Sequence, residues 1–284
     1  MGESIQRREF GSTGRQLTCV GLGGEGVLRT FGQDAAAREV IEAAAAQGIT
    51  YFDSARAYAG SQAYLGNFWR ENPGLRHQIF QASKSARRDK KGALADLDNT
   101  LNVMGIEHLD LWQIHDVRTL GDLSLIEAPG GALEAFVEAR EKGKVRHIGV
   151  TGHQDPAVLT EAVKRWPLDT VLLPVNPVEG VLGGFVDQTL PAALDRGVAV
   201  IAMKVLGASH YIAPGSGVTA ELLIQYALSY PVSLAIVGCS NPREVAALAQ
   251  VGRDFTPLSP AERQKLEDLY RPSAKKLAYY RGQA

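Results

Sequence analysis

Four residues in the first half of the chain are of types that could together donate a proton to an oxygen atom. Asp53, Lys84 and His115 each follow a short apolar run, and Tyr58 comes shortly after Asp53. A free tyrosine has a pKa of about 10, but a nearby ammonium favours the phenolate. We therefore expect Lys84 to lower the pKa of Tyr58, Asp53 to hold Lys84 charged, and His115 to orient a substrate oxygen. This chemistry suits carbonyl reduction, with the hydride supplied by a cofactor.

Each of these residues also has a structural explanation when it is considered alone. Asp53 could cap the next helix, Lys84 could be a solvated cation, and His115 could be a histidine satisfied within the core. Tyr58 is one of 9 tyrosines. The functional interpretation depends on their joint occurrence at corresponding positions of successive units.

The elements that must position these residues are short strands alternating with helices. The apolar runs are rich in Ile, Val and Leu on both faces, as is typical of parallel strands buried on both sides. They lie at residues 19–22, 49–52, 79–82, 109–114, 148–150, 171–175, 198–203 and 234–237. The predicted helices lie at residues 34–47, with a capping Asp34, and at 91–104, 133–142, 156–166, 189–195, 220–229 and 242–250.

Polar or small residues close seven of these runs at a nearly regular spacing. The residues are Asp53, Lys84, His115, Thr151, Asn176, Lys204 and Gly238, separated by 31, 31, 36, 25, 28 and 34 positions. A βα unit of about 30 residues repeated over about 250 residues predicts an α/β fold, the (β/α)8 TIM barrel, with its active site at the carboxyl ends of the strands. We expect one domain over residues 1–284, with an N-terminal β-hairpin at 5–19 and a capped C-terminal helix and tail at 259–284.

The stretch 21–26 matches the pattern G-x-G-x-x-G of dinucleotide-binding loops. In a Rossmann site a helix begins at that loop, so that its amides meet the pyrophosphate. Here residues 27–33 precede the helix, so we interpret the stretch as a turn at the mouth of the first barrel strand and favour the barrel over a doubly wound sheet. Gly24 could still let a cofactor approach the backbone closely.

The composition excludes several classes of partner. The chain has 30 Lys+Arg and 31 Asp+Glu, and this balance argues against nucleic acid or an acidic membrane surface. The sequence has neither a spanning apolar run nor the apolar stretch of a signal peptide. Cys19 and Cys239 are too few for a disulfide framework or a cysteine zinc site, and we predict no metal. We therefore expect a cytoplasmic enzyme and leave its oligomeric state open.

Three segments around the four residues resemble the aldo-keto reductase family. They are Tyr51-Phe52-Asp53-Ser54-Ala55-Arg56-Ala57-Tyr58, Ala82-Ser83-Lys84 and Asp110-Leu111-Trp112-Gln113-Ile114-His115, and they match the family's Asp–Tyr–Lys–His tetrad in order and spacing. The segment 144–151 resembles its fifth-strand motif. The resemblance implies an enzyme that uses NADP(H) or NAD(H) to interconvert an aldehyde, ketone or sugar with its alcohol. Tyr58 would be the general acid, Lys84 and Asp53 its tuners, and His115 the substrate orienter.

The resemblance also implies a cofactor site, in which several residues depart from the family's usual types. Thr151 and Gly152 stand where Ser-Asn commonly holds the nicotinamide carboxamide, and His153 or Asn176 are candidates to replace the missing amide. Met203 replaces an aromatic residue. The predicted cofactor residues are Gly24, Asp53, Thr151, Gly152, Asn176, Met203, Lys204, Leu206, Gly238, Cys239, Ser240 and Glu244.

The choice between the two dinucleotides stays open at this point. Family members that prefer NADP often carry Lys and Arg where this chain has Gly238 and Glu244, and a carboxylate would repel a 2′-phosphate. The residues thus favour NAD(H), whereas the family as a whole favours NADP(H). Lys204 could reach the pyrophosphate.

Two other functions are compatible with parts of the pattern. One is a Schiff-base lyase on the same barrel with Lys84 or Lys204 as the amine, although it gives Asp53, Tyr58 and His115 no joint role. The other is a non-catalytic, nucleotide-sensing binding module, which would not need the tetrad. Substrate specificity is expected from the loops 27–33, 117–131 and 178–187 and from the tail. The stretch 117–131 is either a lid or only a long connection.

Overall fold

The computed structural model describes residues 3–281, and its centre is a closed barrel of eight parallel strands. The barrel closes because the last strand pairs with the first, with Ala235 opposite Val20. The fold is therefore the predicted (β/α)8 barrel. The strands are β3 (Val20–Gly26), β4 (Tyr51–Phe52), β5 (Phe80–Ser85), β6 (Leu109–Ile114), β7 (Val145–Thr151), β8 (Thr170–Pro174), β9 (Ala199–Met203) and β10 (Leu234–Cys239).

Helices cover the outside of the barrel. They are α1 (Asp34–Ala46), α2 (Ser61–Glu71), α3 (Pro73–Arg76), α4 (Lys90–Met104), α5 (Leu120–Glu127), α6 (Ala132–Glu141), α7 (Pro156–Arg165), α8 (Pro177–Leu182), α9 (Leu190–Asp195), α10 (Ala220–Leu228), α11 (Pro242–Arg253), α12 (Pro260–Tyr270) and α13 (Ala274–Leu277). Side-chain caps begin several of them; Asp155 accepts a hydrogen bond from the Ala157 amide at 2.8 Å before α7. Asp34 was expected to cap α1, but it is the first helical residue and lies in the first turn.

The predicted hairpin closes the amino-terminal end of the barrel. Strands β1 (Arg7–Glu9) and β2 (Gln16–Thr18) pair antiparallel, and the fully buried Phe10 follows β1. The Phe10 ring lies 5.1 Å from the ring of Phe80 inside the barrel. At the other end of the chain, Ser259 and Glu262 form the predicted capping box of α12. Residues 282–284 of the predicted tail, like Met1 and Gly2 of the predicted domain, lie outside the described residues.

Three loop predictions need correction. The glycine stretch 21–26 is part of β3 and not a turn, because β10 approaches so closely that a β-carbon at Gly23 would lie 2.8 Å from the Gly238 amide. The expected loop 117–131 contains α5, and 178–187 contains most of α8 and most of a π-helical turn at Phe185–Thr189. These helices are short, so their sequences show little helical periodicity.

The part of the chain from residue 3 to residue 281 contains no helix that is long and apolar enough to cross a membrane. The helices pack through apolar side chains against the outer face of the barrel strands. The stacked rings of Trp112 on β6 and Phe136 on α6, with centroids 3.6 Å apart, are one such contact.

Close packing between neighbouring strands predicts that Gly149 of β7 cannot be enlarged. An added β-carbon would overlap with the Thr170 hydroxyl of β8 and lie 3.2 Å from Gln113 of β6. We expect Gly149→Ala to lower the free energy of unfolding by about 1–3 kcal/mol. Chemical denaturation measures this change. Gly121→Ala on the exposed surface of α5 is the matched control, because its new methyl group meets its nearest neighbour only at 3.5 Å; equal losses in both variants would contradict the packing argument.

Candidate active site

A buried ion pair lies at the carboxyl ends of β4 and β5. Asp53 directly follows β4, Lys84 lies near the end of the neighbouring β5, and both are about 1% exposed. The Lys84 ammonium donates to Asp53 Oδ2 at 2.5 Å and to the Ser54 carbonyl at 2.8 Å. Burial raises the pKa of Asp53 and lowers the pKa of Lys84. Because either charge alone would be uncompensated in the interior, the two side chains hold each other in place.

Tyr58 packs directly on this ion pair. It lies in the loop between β4 and α2, and its ring centroid is 4.7 Å from the Lys84 ammonium. The ring of His115, which follows β6, meets the Tyr58 ring edge-on with centroids 5.6 Å apart. Gly24 of β3 makes room for the phenol, since a β-carbon there would lie 2.7 Å from Tyr58 Cδ2. The structure thus brings together all four residues of the predicted catalytic group.

The pKa of Tyr58 differs from the expectation. It is raised well above its usual value, because burial and the Asp53 carboxylate both disfavour the phenolate. The Lys84 ammonium lies over the ring face and its charge is matched by Asp53, so it does not produce the expected lowering. The cation that opposes the shift is Arg29, whose guanidinium carbon is 5.0 Å from the ring centroid. In this structure Tyr58 is therefore a protonated phenol at neutral pH.

His115 is a neutral imidazole held on a fixed backbone. Burial, and next the charge of Lys84, lower the pKa of His115 to about 3. Arg88 donates to the His115 carbonyl at 2.9 Å and to the Asp116 carbonyl at 2.6 Å. These bonds, together with one from the Asp116 amide to the Thr151 hydroxyl at 2.8 Å, stabilise Asp116 at a φ of 57°. The sequence analysis missed Arg88 because an arginine in a polar loop has no periodic signal.

The residues expected to hold the nicotinamide carboxamide differ in whether their hydrogen-bonding groups are free to bind a ligand. The Thr151 hydroxyl accepts from Asp116 and can still donate its own proton. Gly152 is buried, and a β-carbon there would lie 3.0 Å from the Val117 carbonyl. The Asn176 side chain is committed to the protein: its amide donates to the Lys204 carbonyl and its oxygen accepts from the Glu179 amide at the start of α8. Asn176 is therefore positioned as a structural residue, so its predicted cofactor contact gains no support from the geometry.

Lys204 directly follows β9 and is half-buried at the mouth of the barrel. Among residues 3–281, no carboxylate lies within ion-pair distance of its ammonium, which instead lies 5.2 Å from the centroid of the Tyr280 ring. Burial lowers the pKa of Lys204. Met203 ends β9, and Leu206 lies in the following turn; both are partly exposed.

At the carboxyl end of β10, the start of α11 already carries an anionic group. Glu244 folds back so that its carboxylate accepts from the Ser240 amide at 2.7 Å and from the Asn241 side chain at 2.8 Å. A β-carbon at Gly238 would lie 2.6 Å from Glu25 Cβ, so the glycine allows β3 and β10 to approach. Cys239 is buried, and burial raises the pKa of its thiol to about 12, as expected for a packing residue.

The end of the described chain makes individual contacts at the barrel mouth that the sequence does not indicate. The Tyr280 hydroxyl donates to Glu179 at 2.7 Å and accepts from Asn176 at 3.0 Å, and its carbonyl lies 3.0 Å from His153 Nδ1. The buried Glu179 carboxylate is also paired with Arg281. The tail therefore borders the barrel mouth beside His153 and Lys204. Its residues are far from their partners in sequence, so no local pattern could indicate these contacts.

The geometry argues against Lys84 as the amine of a Schiff-base lyase. Its nitrogen is buried and donates to two acceptors, whereas an amine nucleophile must be deprotonated and reach the substrate. The groups that remain for catalysis are the Tyr58 phenol and the His115 imidazole, and the Tyr58 ring packs on the buried Asp53–Lys84 pair.

The comparison with known families decides the assignment. Residues 19–213 match the model of the Aldo/keto reductase family. The chain belongs to the aldo-keto reductase family. Membership of this family makes it an oxidoreductase.

Individual relatives of this aldo-keto reductase align with very different shares of its length. It is 26% identical to an L-galactose dehydrogenase from Arabidopsis thaliana, with 91% of this chain and 93% of the relative aligned. It is 36% identical to a 6-dehydroglucose reductase from Agrobacterium fabrum, over 39% of this chain and 41% of that one.

Solved structures of other aldo-keto reductases share the fold of this chain. One from Bacillus halodurans has a TM-score of 0.77 at 20% identity and covers 93% of this chain and 96% of its own. One from Klebsiella pneumoniae, determined in complex with NADPH, has a TM-score of 0.74 at 22% identity and covers 95% and 96%.

The low pKa of His115 predicts a specific dependence of stability on pH. Between the ordinary pKa of 6.5 and about 3, the unfolded chain binds a proton at this position that the folded chain does not. Stability must therefore fall as the pH drops below about 6.5. We expect His115→Gln to reduce the loss of unfolding free energy between pH 7 and pH 5 by roughly 1–2 kcal/mol. Urea denaturation at both pH values measures it; an unchanged loss would show that His115 titrates normally.

Proposed function

We propose that this aldo-keto reductase interconverts an aldehyde or ketone, sugars among them, and the corresponding alcohol, with Tyr58 as the general acid or base. The observation that carries the proposal is the packing of the Tyr58 ring on the buried Asp53–Lys84 pair and against His115, at the open end of the barrel. Active sites of TIM barrels lie at this end. The whole chain would act as one domain, and we place it in the cytoplasm.

The proposed cofactor is a nicotinamide dinucleotide, NADP(H) or NAD(H), which supplies or accepts the hydride when it is bound. The Klebsiella relative was determined with NADPH, and two features of this chain fit such a molecule. Lys204 offers a half-buried cation that lacks a carboxylate partner among the described residues, as a pyrophosphate requires. Thr151 offers a hydroxyl proton.

The mechanism uses the protonation states found in the site. In the reductive direction, Tyr58 donates its proton to the substrate oxygen as negative charge develops there. His115, neutral at physiological pH, can donate a hydrogen bond that orients the same oxygen. The Asp53–Lys84 pair keeps the phenol in position for this proton transfer.

Within this proposal, the position of Glu244 favours NAD(H) over NADP(H). Its carboxylate occupies the Ser240 amide, where it takes the place that a 2′-phosphate would need. Two anions cannot share these donors without strong repulsion. A ribose 2′-hydroxyl, by contrast, could donate a hydrogen bond to the carboxylate.

Removal of the Tyr58 hydroxyl tests the proposed catalytic role. We expect Tyr58→Phe to lower kcat for a simple aldehyde by roughly 10²–10⁴-fold, because general acid catalysis contributes about this factor. The dissociation constant of the dinucleotide should stay within about twofold, since only the proton donor is lost. Steady-state kinetics and fluorescence titration measure the two quantities. Tyr230→Phe removes a hydroxyl near the opposite end of the barrel and is the matched control; an active Tyr58→Phe enzyme would refute the role of the phenol.

Reversal of the charge at position 244 tests the choice of dinucleotide. We expect Glu244→Arg to shift the ratio of the dissociation constants in favour of NADP(H) by at least roughly tenfold, because a repulsive carboxylate is replaced by a phosphate-binding guanidinium. Glu221→Arg, in the first turn of α10, makes the same charge reversal away from the site. Titration with NADH and NADPH measures the ratio, and no difference between the two variants would contradict the assignment of Glu244.

A further inference from the structure

The barrel mouth contains an arginine that neither the catalytic group nor the cofactor site uses. Arg29 ends a 3₁₀ turn, Val27–Arg29, between β3 and α1. Val27 and Leu28 are buried, and the Thr30 carbonyl accepts from the Gly60 amide at 2.9 Å, close to Tyr58. The backbone of Arg29 is thus fixed while its half-exposed side chain reaches back over the Tyr58 ring, 5.0 Å from its centroid.

The hydrogen bonds of Arg29 leave most of its guanidinium free for a ligand. One nitrogen, Nη1, donates to Glu25 at 2.6 Å, and within residues 3–281 its Nη2 and Nε have no acceptor. Arg88 shows the contrast: all three of its nitrogens donate to protein oxygens. Arg88 therefore has the contacts of a structural residue, whereas Arg29 is held in place by one nitrogen and keeps N–H donors free on the other two.

Two other cations at the barrel mouth are balanced more completely. Lys84 is matched by Asp53, and Arg118 by Asp116. Arg29 has a carboxylate partner too, but that partner engages a single corner of a planar group with five N–H donors. A second oxyanion can bind the open edge in the bidentate manner typical of arginine.

We propose that Arg29 binds an anionic oxygen group, a carboxylate or a phosphate, carried by the carbonyl substrate. Glu25 holds the guanidinium over the Tyr58 ring, so the bound anion would lie beside the phenol that protonates the carbonyl oxygen. This inference rests on the proposed function, because it assigns the substrate class of the same site. It makes Arg29 a specificity residue, and the chemistry at Tyr58 is unchanged.

The test compares aldehydes that differ only in charge. The first pair is 4-carboxybenzaldehyde and its methyl ester, and the second is glyceraldehyde 3-phosphate and glyceraldehyde. We expect Arg29→Gln to raise KM for an anionic member by roughly tenfold to a hundredfold, the loss typical of a hydrogen-bonded ion contact. KM for the neutral members should stay within about twofold. Any change in kcat should be the same for charged and neutral members, because the charge of Arg29 acts on Tyr58 whichever aldehyde is bound. Arg29→Lys should recover part of the loss, because it keeps the charge but not the planar fork.

Arg38→Gln is the matched control. Arg38 is paired with Glu42 four residues later, at 2.7 Å and with similar exposure, but on the outer helix α1. Arg38→Gln should leave KM unchanged for all four aldehydes. A loss confined to the carboxylate or to the phosphate supports the proposal and identifies the anion that is recognised.

Three results would overturn the assignment of Arg29: equal losses on charged and neutral aldehydes, no loss on either, or weaker binding of the dinucleotide to Arg29→Gln. The last would show that the guanidinium serves the cofactor. Failure of the proposed function is distinct from all three, because the unmodified enzyme would then reduce none of the four aldehydes.

Discussion

The buried contact between Lys84 and Asp53 is the constraint on which the rest of the site depends. Two opposite charges with almost no exposure are stable only together, so β4 and β5 must be in register before either can be buried. The pair then gives Tyr58 a charged but electrically compensated surface to pack on. This explains why both Tyr58 and His115 are neutral at physiological pH, although the Lys84 ammonium lies close to both.

Different strands carry the two parts of the proposed site. The proposed catalytic residues lie at the ends of β4, β5 and β6, whereas Lys204 after β9 and Thr151 at the end of β7 suit the proposed dinucleotide. In each part of the site, a glutamate carboxylate occupies some of the hydrogen-bond donors that an anionic ligand could use. Glu244 occupies amides that a phosphate could use, and Glu25 takes one corner of Arg29 and leaves the rest.

The sequence predicted the barrel, and it grouped the candidate catalytic residues that the structure brings together, because both depend on local patterns. Buried strands read as apolar runs, and the residue after each run lies at the barrel mouth, so Asp53, Lys84 and His115 could be grouped without coordinates. The electrostatics could not be predicted in the same way. The pKa of Tyr58 depends on how deeply its ring is buried and on where the Lys84 nitrogen lies relative to it, and the contacts of Arg29, Arg88 and Tyr280 depend on tertiary packing.

The approach of Gly24 to Tyr58 links two segments that sequence separates. The space that a side chain would need at position 24 of β3 is filled by the Tyr58 ring, so the two positions cannot diverge independently. A substitution that enlarges residue 24 requires a change in the loop after β4, which carries Tyr58. If Tyr58 moves away, a glycine is no longer required at position 24. Substitutions at position 24 and in the loop after β4 are therefore expected to occur together, and this part of the barrel mouth can change shape only when both segments change.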